Sequence, residues 1–335
     1  MIIPFFIPHY GCPHQCVFCN QKNIIGRNHP EEITTIPDKI NHYLTTCGSS
    51  KPVQIAFYGG SFTALPLETQ KAYLGTVRPF IQTGKIRNIR LSTRPDCIIH
   101  EMLSLLKEYE VAVVELGVQS MVDEVLTRSG RGHTSNDTVT AVKILKEHGF
   151  TIGLQLMPGL PGDSSEHFND TVGRVIKLKP DFVRLYPALV VKDTPLEKLY
   201  TSGQYTPLTL EEAVSTCREA YLKFEKAGIA VIRMGLQPTE ELEKPGTILA
   251  GPYHPAFGQL VESSMLLDKM RTALQNRKET NDTAVFLVNP RDVSVAIGQQ
   301  RANIEAMKKE FGLHDVRFVE NGDGSKRGDA VLLSY

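Results

Sequence analysis

Short apolar runs alternate with amphipathic stretches along the first two thirds of the chain. Most of these runs are nearly continuous in Val, Ile, Leu and Phe, which is typical of strands buried on both faces of a parallel sheet. They predict strands over 2–7, 53–58, 89–93, 111–116, 150–156 and 182–186, and a further run at 229–234 ends this part of the chain.

The stretches between the strands carry signals for helix starts. Pro37 and Pro66 suit a first helical turn, because the amide hydrogen that proline lacks would have no partner there. Capping signals predict later helix starts at Asn136 or Asp137, at Asp163 (with Glu166) and at Thr209 (with Glu212). The helix that Pro66 opens carries Leu67, Tyr73, Leu74 and Val77, and the helix after Asn136 or Asp137 is expected to bury Val139, Val142 and Leu145.

This alternation predicts an α/β fold, with a partial TIM-like barrel over residues 1–238 and a small α/β extension over 239–335. Functional residues of parallel barrels gather at the carboxyl ends of the strands. Clusters of Gly, Pro and polar residues follow the predicted strands at Cys12–Cys19, Gly59–Thr63, Thr93–Asp96, Gly117–Ser120 and Met157–Gly162.

The last part of the chain changes character over residues 281–326, where the pattern predicts strand, helix, glycine turn, helix and strand. This order faintly resembles a KH module, in which an Ile-Gly-x-x-Gly loop clamps a nucleic-acid backbone. Here Arg301 replaces the second glycine. A plain α/β cap and an RNA-binding segment therefore both stay open.

Composition narrows the class of protein. The formal net charge is zero, so no overall basic field indicates nucleic-acid binding, and we expect no DNA partner. Six cysteines, three of them clustered, do not form a disulfide framework and favour a reducing cytoplasm. No apolar run approaches a membrane span, and residues 2–7 are expected to form a strand instead of a signal peptide.

Three cysteines, Cys12, Cys16 and Cys19, lie within one short loop after the first predicted strand. Thiolates are soft ligands that select zinc, copper(I) or iron–sulfur clusters. A zinc site would need a fourth ligand such as His14, since the other cysteines (Cys47, Cys97 and Cys217) are solitary. Zinc, an iron–sulfur cluster and three unrelated buried thiols are the alternatives.

The spacing Cys-x3-Cys-x2-Cys, with Phe18 before the last cysteine, resembles the signature of the radical S-adenosylmethionine (SAM) superfamily. The resemblance implies a (β/α)6 barrel and a 4Fe–4S cluster on Cys12, Cys16 and Cys19. It also implies that SAM binds the open iron and is cleaved to a 5′-deoxyadenosyl radical for hydrogen abstraction. An electron donor such as flavodoxin or ferredoxin is implied as a partner.

The second and third clusters match family segments with two departures. Gly59 and Gly60 resemble the Gly-Gly-Glu segment that binds the SAM amino group, but Ser61 stands where Glu is usual. Ser92 also occupies a position where related enzymes often carry Glu. Arg94 is expected to neutralise a carboxylate or phosphate, or to form a structural ion pair.

The later clusters supply the remaining expected SAM contacts. Glu115 lies inside an apolar strand, and burying a carboxylate without partners is costly, so it indicates a polar site. By the resemblance, Gln119, Arg131 and Gln155 contact SAM, with Arg131 as a candidate for its carboxylate. Gln155 and Met157 share one face of their strand, beside the expected adenine-binding segment.

Several runs resemble one branch of the superfamily, that of the catalytic subunit of Elongator, a tRNA wobble-uridine enzyme. They are 57–66, 93–96, 114–120, 130–134, 155–162 and 185–191. Oxygen-independent coproporphyrinogen III oxidase is more loosely similar. The Elongator subunit continues into an acetyltransferase domain, for which we expect no room here. The resemblance therefore suggests tRNA modification, with an anaerobic small-molecule oxidase or a non-catalytic RNA-binding or cluster-carrying protein as alternatives.

Overall fold

A computed structural model describes residues 1–26, 29–46, 52–276, 282–320 and 326–333. The chain divides into two compact units. The first unit comprises Met1–Ala213 and Leu222–Tyr253, and the second comprises Val214–Tyr221 and His254–Tyr335. Cys47, one of the solitary cysteines, lies outside the described residues, as do residues 281 and 321–325 of the KH-like segment.

The first unit is built on a parallel seven-stranded sheet with the order β1-β2-β3-β4-β5-β6-β8. Its strands are β1 (Ile2–Ile7), β2 (Gln54–Gly59), β3 (Asn88–Thr93), β4 (Val111–Gln119), β5 (Thr151–Leu156), β6 (Phe182–Leu185) and β8 (Ala230–Met234). The sheet curls into an open partial barrel, which confirms the predicted fold class. The run at 229–234 contributes its seventh strand.

Helices connect the strands of this sheet, as the amphipathic stretches predict. They are α1 (Gln21–Ile25), α2 (Ile36–Thr46), α3 (Leu67–Gln82), α4 (His100–Glu108), α5 (Asp123–Arg128), α6 (Ser135–Glu147), α7 (Ser165–Leu178), α8 (Pro195–Thr201) and α9 (Leu210–Lys226). Two short strands, β7 (Val190–Val191) and β9 (Ile248–Ala250), pair antiparallel. Within the described residues, the helices all fall short of the length and apolar character that crossing a membrane requires.

Two predicted helix starts were wrong by one to three residues. Helix α6 is capped by Thr134, and Asp137 is its capping-box partner three residues into the helix, so neither Asn136 nor Asp137 is the cap. Ser164, not Asp163, caps α7. The Asp163 carboxylate instead accepts the Gly159 and Ser164 amides, which stabilises the preceding turn. The capping box of Thr209 and Glu212 is confirmed.

One predicted buried residue of α6 was wrong. Val142 and Leu145 are buried, but Val139 is 39% exposed.

Within its described residues, the second unit contains a three-stranded sheet of order β11-β10-β12 and three helices besides its part of α9. These elements are α10 (Phe257–Gln275), β10 (Thr283–Val288), α11 (Val293–Ile297), α12 (Ala302–Phe311), β11 (Asp315–Glu320) and β12 (Ala330–Leu333). The predicted strand–helix–helix–strand order is present, and β12 was not predicted. Arg301 adopts a left-handed backbone, with φ of 64°, in the turn between α11 and α12.

We expect the inward face of α3 to carry much of the packing free energy of its layer. Leu74 is fully buried, whereas Leu67 at the start of the same helix is 49% exposed. Leu74→Ala should lower the free energy of unfolding by about 2–5 kcal/mol, because it leaves a cavity. The matched control, Leu67→Ala, should change it by no more than about 0.5 kcal/mol. Urea unfolding of both variants measures the difference; equal losses would contradict this packing.

Candidate active site

A cavity of about 790 Å³ opens inside the partial barrel. Most of its lining comes from the carboxyl halves of the strands and the loops that follow them, and Ile2, Pro4 and Phe6 of β1 also contribute. All fourteen site residues that the sequence singles out line this one cavity: Cys12, Cys16, Phe18, Cys19, Gly59, Gly60, Ser61, Ser92, Arg94, Glu115, Gln119, Arg131, Gln155 and Met157. Parallel pairing therefore brings together side chains that are up to 145 residues apart in sequence.

The cysteine loop presents three free thiols to the cavity. The Cys12 Sγ lies 3.5 Å from Ser61 Oγ, and Arg131 Nη1 donates to Cys16 Sγ at 3.1 Å. Burial, together with the neighbouring Cys16 and Cys12, raises the pKa of the Cys19 thiol to about 12. Among the described residues, no three His, Cys, Asp or Glu side chains converge on a single metal ion. Thiolates are the soft donors that iron–sulfur clusters use, and the three free cysteines line one cavity.

Two residues that sequence reasoning missed anchor this loop. Gln21 Oε1 accepts the His9 backbone N–H at 2.6 Å, and Gln21 Nε2 donates to the Gly59 carbonyl at 2.6 Å. The Gln21 backbone N–H donates to His9 Nε2 at 2.9 Å, so this ring nitrogen is the unprotonated one. Burial lowers the pKa of His9, which favours the same neutral form. The only sequence signal was the position of Gln21 two residues after Cys19.

Gly60 is held tightly against the segment that leads into the cysteine loop. A Cβ atom at this position would lie 2.0 Å from the Tyr10 carbonyl oxygen and 2.5 Å from that of Ile7. Its own N–H donates to the Ile7 carbonyl at 2.9 Å. Gly59 adopts a φ of 106°, a backbone conformation that residues other than glycine rarely adopt. The double glycine is therefore required by close backbone packing.

Arg94 forms a structural ion pair, which is one of the two roles that the sequence suggested for it. Its Nε and Nη2 each donate to an Asp96 carboxylate oxygen at 2.9 Å, and Nη2 also donates to the Arg131 carbonyl. Burial would raise the pKa of Asp96, but the hydrogen bonds and charge of Arg94 hold it below its usual range. A role for Arg94 toward a ligand stays a prediction.

Arg131 differs from Arg94 because no carboxylate among the described residues pairs with it. It donates to the Gly117 carbonyl and to Cys16, and its buried Nε has no partner within the described residues. The neighbouring His133 is also buried, and neither of its ring nitrogens has a described partner. Burial, Arg131 and Arg94 lower the pKa of His133 to about 3, which keeps the ring neutral.

Glu115 has the charged partners that its burial in an apolar strand indicated. Arg184 Nε lies 2.6 Å from Glu115 Oε2, and Arg90 Nη1 lies 3.3 Å from Oε1. The Tyr58 hydroxyl donates to the same Oε1 at 2.9 Å. Both carboxylate oxygens are thus engaged, and two buried guanidinium groups share one carboxylate. Neither arginine was singled out from the sequence.

The fourth and fifth clusters meet through two amide side chains. Gln155 Nε2 lies 3.4 Å from Gln119 Oε1, and the Met157 N–H donates to the Gln119 carbonyl at 2.9 Å. Gln119 has a left-handed backbone with φ of 68°, at an irregularity in the β4–β5 register after Gly117. This bend turns the end of β4 into the cavity. Strained backbone in non-glycine residues is concentrated at functional sites.

Comparison with known proteins identifies the class. The radical SAM superfamily matches residues 6–175, and the radical SAM C-terminal domain matches residues 180–266. The chain therefore belongs to the radical SAM superfamily, whose enzymes use a 4Fe–4S cluster and SAM. The chemistry of the donor set in the cavity agrees with this class.

The relatives include Elongator-type proteins, as the sequence motifs suggested. The tRNA uridine(34) acetyltransferase of Methanocaldococcus jannaschii is 28% identical over 244 residues, which cover 61% of this chain and 45% of that protein. Elongator complex protein 3 of Homo sapiens is 28% identical over 186 residues, which cover 49% of this chain and 34% of that protein. The structure of Methanocaldococcus infernus Elp3 has a TM-score of 0.61 at 23% identity, covering 79% of this chain and 62% of that one. This chain therefore matches about half, or less, of the length of these two curated relatives.

We predict that Gly60→Ala disrupts the cysteine loop, because the added methyl group meets backbone oxygen atoms that have no room to shift. It should lower the free energy of unfolding by about 1–3 kcal/mol and reduce the iron retained after anaerobic reconstitution. Gly75→Ala is the matched control, since no atom lies within 4 Å of a Cβ built there, in the middle of α3. It should stabilise the chain by about 0.4–1 kcal/mol. Wild-type iron content in Gly60→Ala would contradict this account.

Proposed function

We propose that Cys12, Cys16 and Cys19 hold the 4Fe–4S cluster and that SAM binds beside it in the same cavity. The observation that carries the proposal is the meeting of three free thiols with eleven other predicted site residues on one cavity lining. When bound, the cluster and SAM supply a 5′-deoxyadenosyl radical that abstracts hydrogen from the substrate. An external donor such as flavodoxin or ferredoxin provides the electron.

The residues of the chain have distinct tasks in this proposal. Arg131 pairs with the SAM carboxylate, because its charge has no described carboxylate partner and it lies beside a cysteine. The Gln119 and Gln155 amides and the Ser61 hydroxyl offer neutral hydrogen bonds to the polar parts of SAM. Phe18 and Met157 belong to a buried apolar cluster that keeps water from the reactive centre.

Modification of RNA, specifically tRNA, is the substrate class that we propose, acting in the cytoplasm. The support comes from Elongator-type relatives, one of which is described as acting on tRNA uridine. The arginine-rich cavity is also compatible with a polyanionic substrate, although the chain as a whole carries no net charge. The feature that the sequence tied to RNA most directly, the KH-like segment, stays a prediction.

Anaerobic reconstitution with iron and sulfide tests the assignment of the cluster and of the radical chemistry. The native chain should bind about four irons and, once reduced with SAM, form 5′-deoxyadenosine. Cys16→Ala should lose both properties. Cys217→Ala removes a buried, solitary cysteine of the second unit and should keep both. Native protein that binds zinc instead, or forms a cluster that never cleaves SAM, would refute the proposal.

Binding of bulk tRNA tests the substrate class. A gel shift that weakens steeply between 50 and 200 mM salt is expected, since phosphate contacts release counterions. Deoxyadenosine formation should rise when tRNA is added. If porphyrinogen binds and tRNA does not, the oxidase alternative replaces tRNA modification. If tRNA binds but SAM is never cleaved, the non-catalytic RNA-binding alternative replaces it.

A further inference from the structure

The charges that line the cavity are far from balanced. Four arginines line it, namely Arg94, Arg131, Arg184 and Arg233, and Glu115 is the only carboxylate among its described lining residues. The chain as a whole carries equal numbers of acidic and basic side chains, 37 of each. The excess of positive charge is therefore local to the cavity.

Most of these arginines already have a partner. Arg94 pairs with Asp96, and Arg131 faces Cys16 in the part of the cavity proposed for SAM. Glu115 is shared by Arg184 and by Arg90 behind it. Arg233 is the exception, because its described contact is a 3.3 Å hydrogen bond from Nε to the Gly235 carbonyl. No described carboxylate forms an ion pair with Arg233.

The register of the sheet sets Arg233 directly beside Arg184. The two residues are Cα partners in the parallel pair of β6 and β8, and both line the cavity. Like charges held on neighbouring strands repel each other. The side chain of Arg184 is only 14% exposed, so water screens this repulsion poorly. Glu115 offsets part of this repulsion through Arg184, and an anion bound beside Arg233 would offset the charge that is left unpaired.

We propose that the Arg184–Arg233 pair binds an anionic group of the substrate, a phosphate or a carboxylate. Planar guanidinium groups bind both kinds of anion through paired hydrogen bonds. The inference deepens the proposed function and rests on it, since it names a chemical requirement of the substrate in the same cavity. It separates two anion sites, Arg131 for SAM and Arg184–Arg233 for substrate, within a volume typical of small-molecule pockets.

Binding of small probes to the full chain under anaerobic conditions tests this site directly. Uridine, uridine 5′-monophosphate and uridine 5′-carboxylate form a matched neutral, phosphate and carboxylate series, and inorganic phosphate alone tests the anion without a base. Isothermal titration at constant ionic strength measures each. At least one anionic probe should bind tenfold or more tightly than uridine, or inorganic phosphate should bind measurably, and the anion that binds best identifies the group.

Substitutions at Arg233 test whether the preference for anions depends on the proposed site. Arg233→Gln should abolish the preference for the anion, Arg233→Lys should keep part of it, and Arg87→Gln should leave it unchanged, because Arg87 is an exposed arginine outside the cavity. Circular dichroism checks that each variant is folded. If none of the anions binds better than its neutral counterpart, or if Arg233→Gln retains the full preference, the inference is overturned.

The SAM-cleavage assay separates this result from the proposed function. Deoxyadenosine formation by a chain that shows no anion preference would leave the radical chemistry standing and remove the anion site. An Arg233-dependent preference for anions in a chain that never cleaves SAM would remove the radical chemistry and leave the anion site standing.

Discussion

Parallel pairing of seven strands is the constraint on which the rest of the site depends. Each strand ends at the same edge of the sheet, so the loop that follows it opens toward the same cavity. The cysteine loop after β1 and the Gln155–Met157 segment at the end of β5 meet for this reason. An antiparallel strand anywhere in the order would send its loop to the opposite edge.

The interior of the barrel is polar at its centre, and this has an energetic consequence. Glu115 lies on the middle strand, β4, and draws Arg184 from β6 and Arg90 from β3. Removing the carboxylate would leave two buried guanidinium groups without compensation, a change that destabilises proteins strongly. The same carboxylate fixes the direction of Arg184, so it also shapes the part of the cavity that Arg184 lines.

Most of the fold and the cysteine site could be predicted from short segments of the sequence. The remaining contacts depend on pairing between distant segments and could not be predicted. The apolar runs of the strands and the Cys12–Cys19 spacing are both properties of short segments. The predicted strands are present in the structure, and the predicted site residues line one cavity. Partners such as Arg90 and Gln21 depend on register and loop packing, which no short segment encodes. Helix starts were misplaced where two capping residues stand close together, as at Asp163 and Ser164, because only the backbone path decides which one caps.

The two departures from the family pattern act in the same direction. By the resemblance drawn from the sequence, Ser61 stands where Glu is usual and Ser92 where Glu is often found, and both serines line the cavity. Serine brings no charge at either position, and Glu115 is the only carboxylate among the described residues of the lining. At Ser61 the exchange also avoids a carboxylate beside the Cys12 thiol, whose sulfur lies 3.5 Å from the hydroxyl oxygen. The neutral serines and the unpaired charge of Arg233 therefore both support the proposal that this cavity accepts an anionic group.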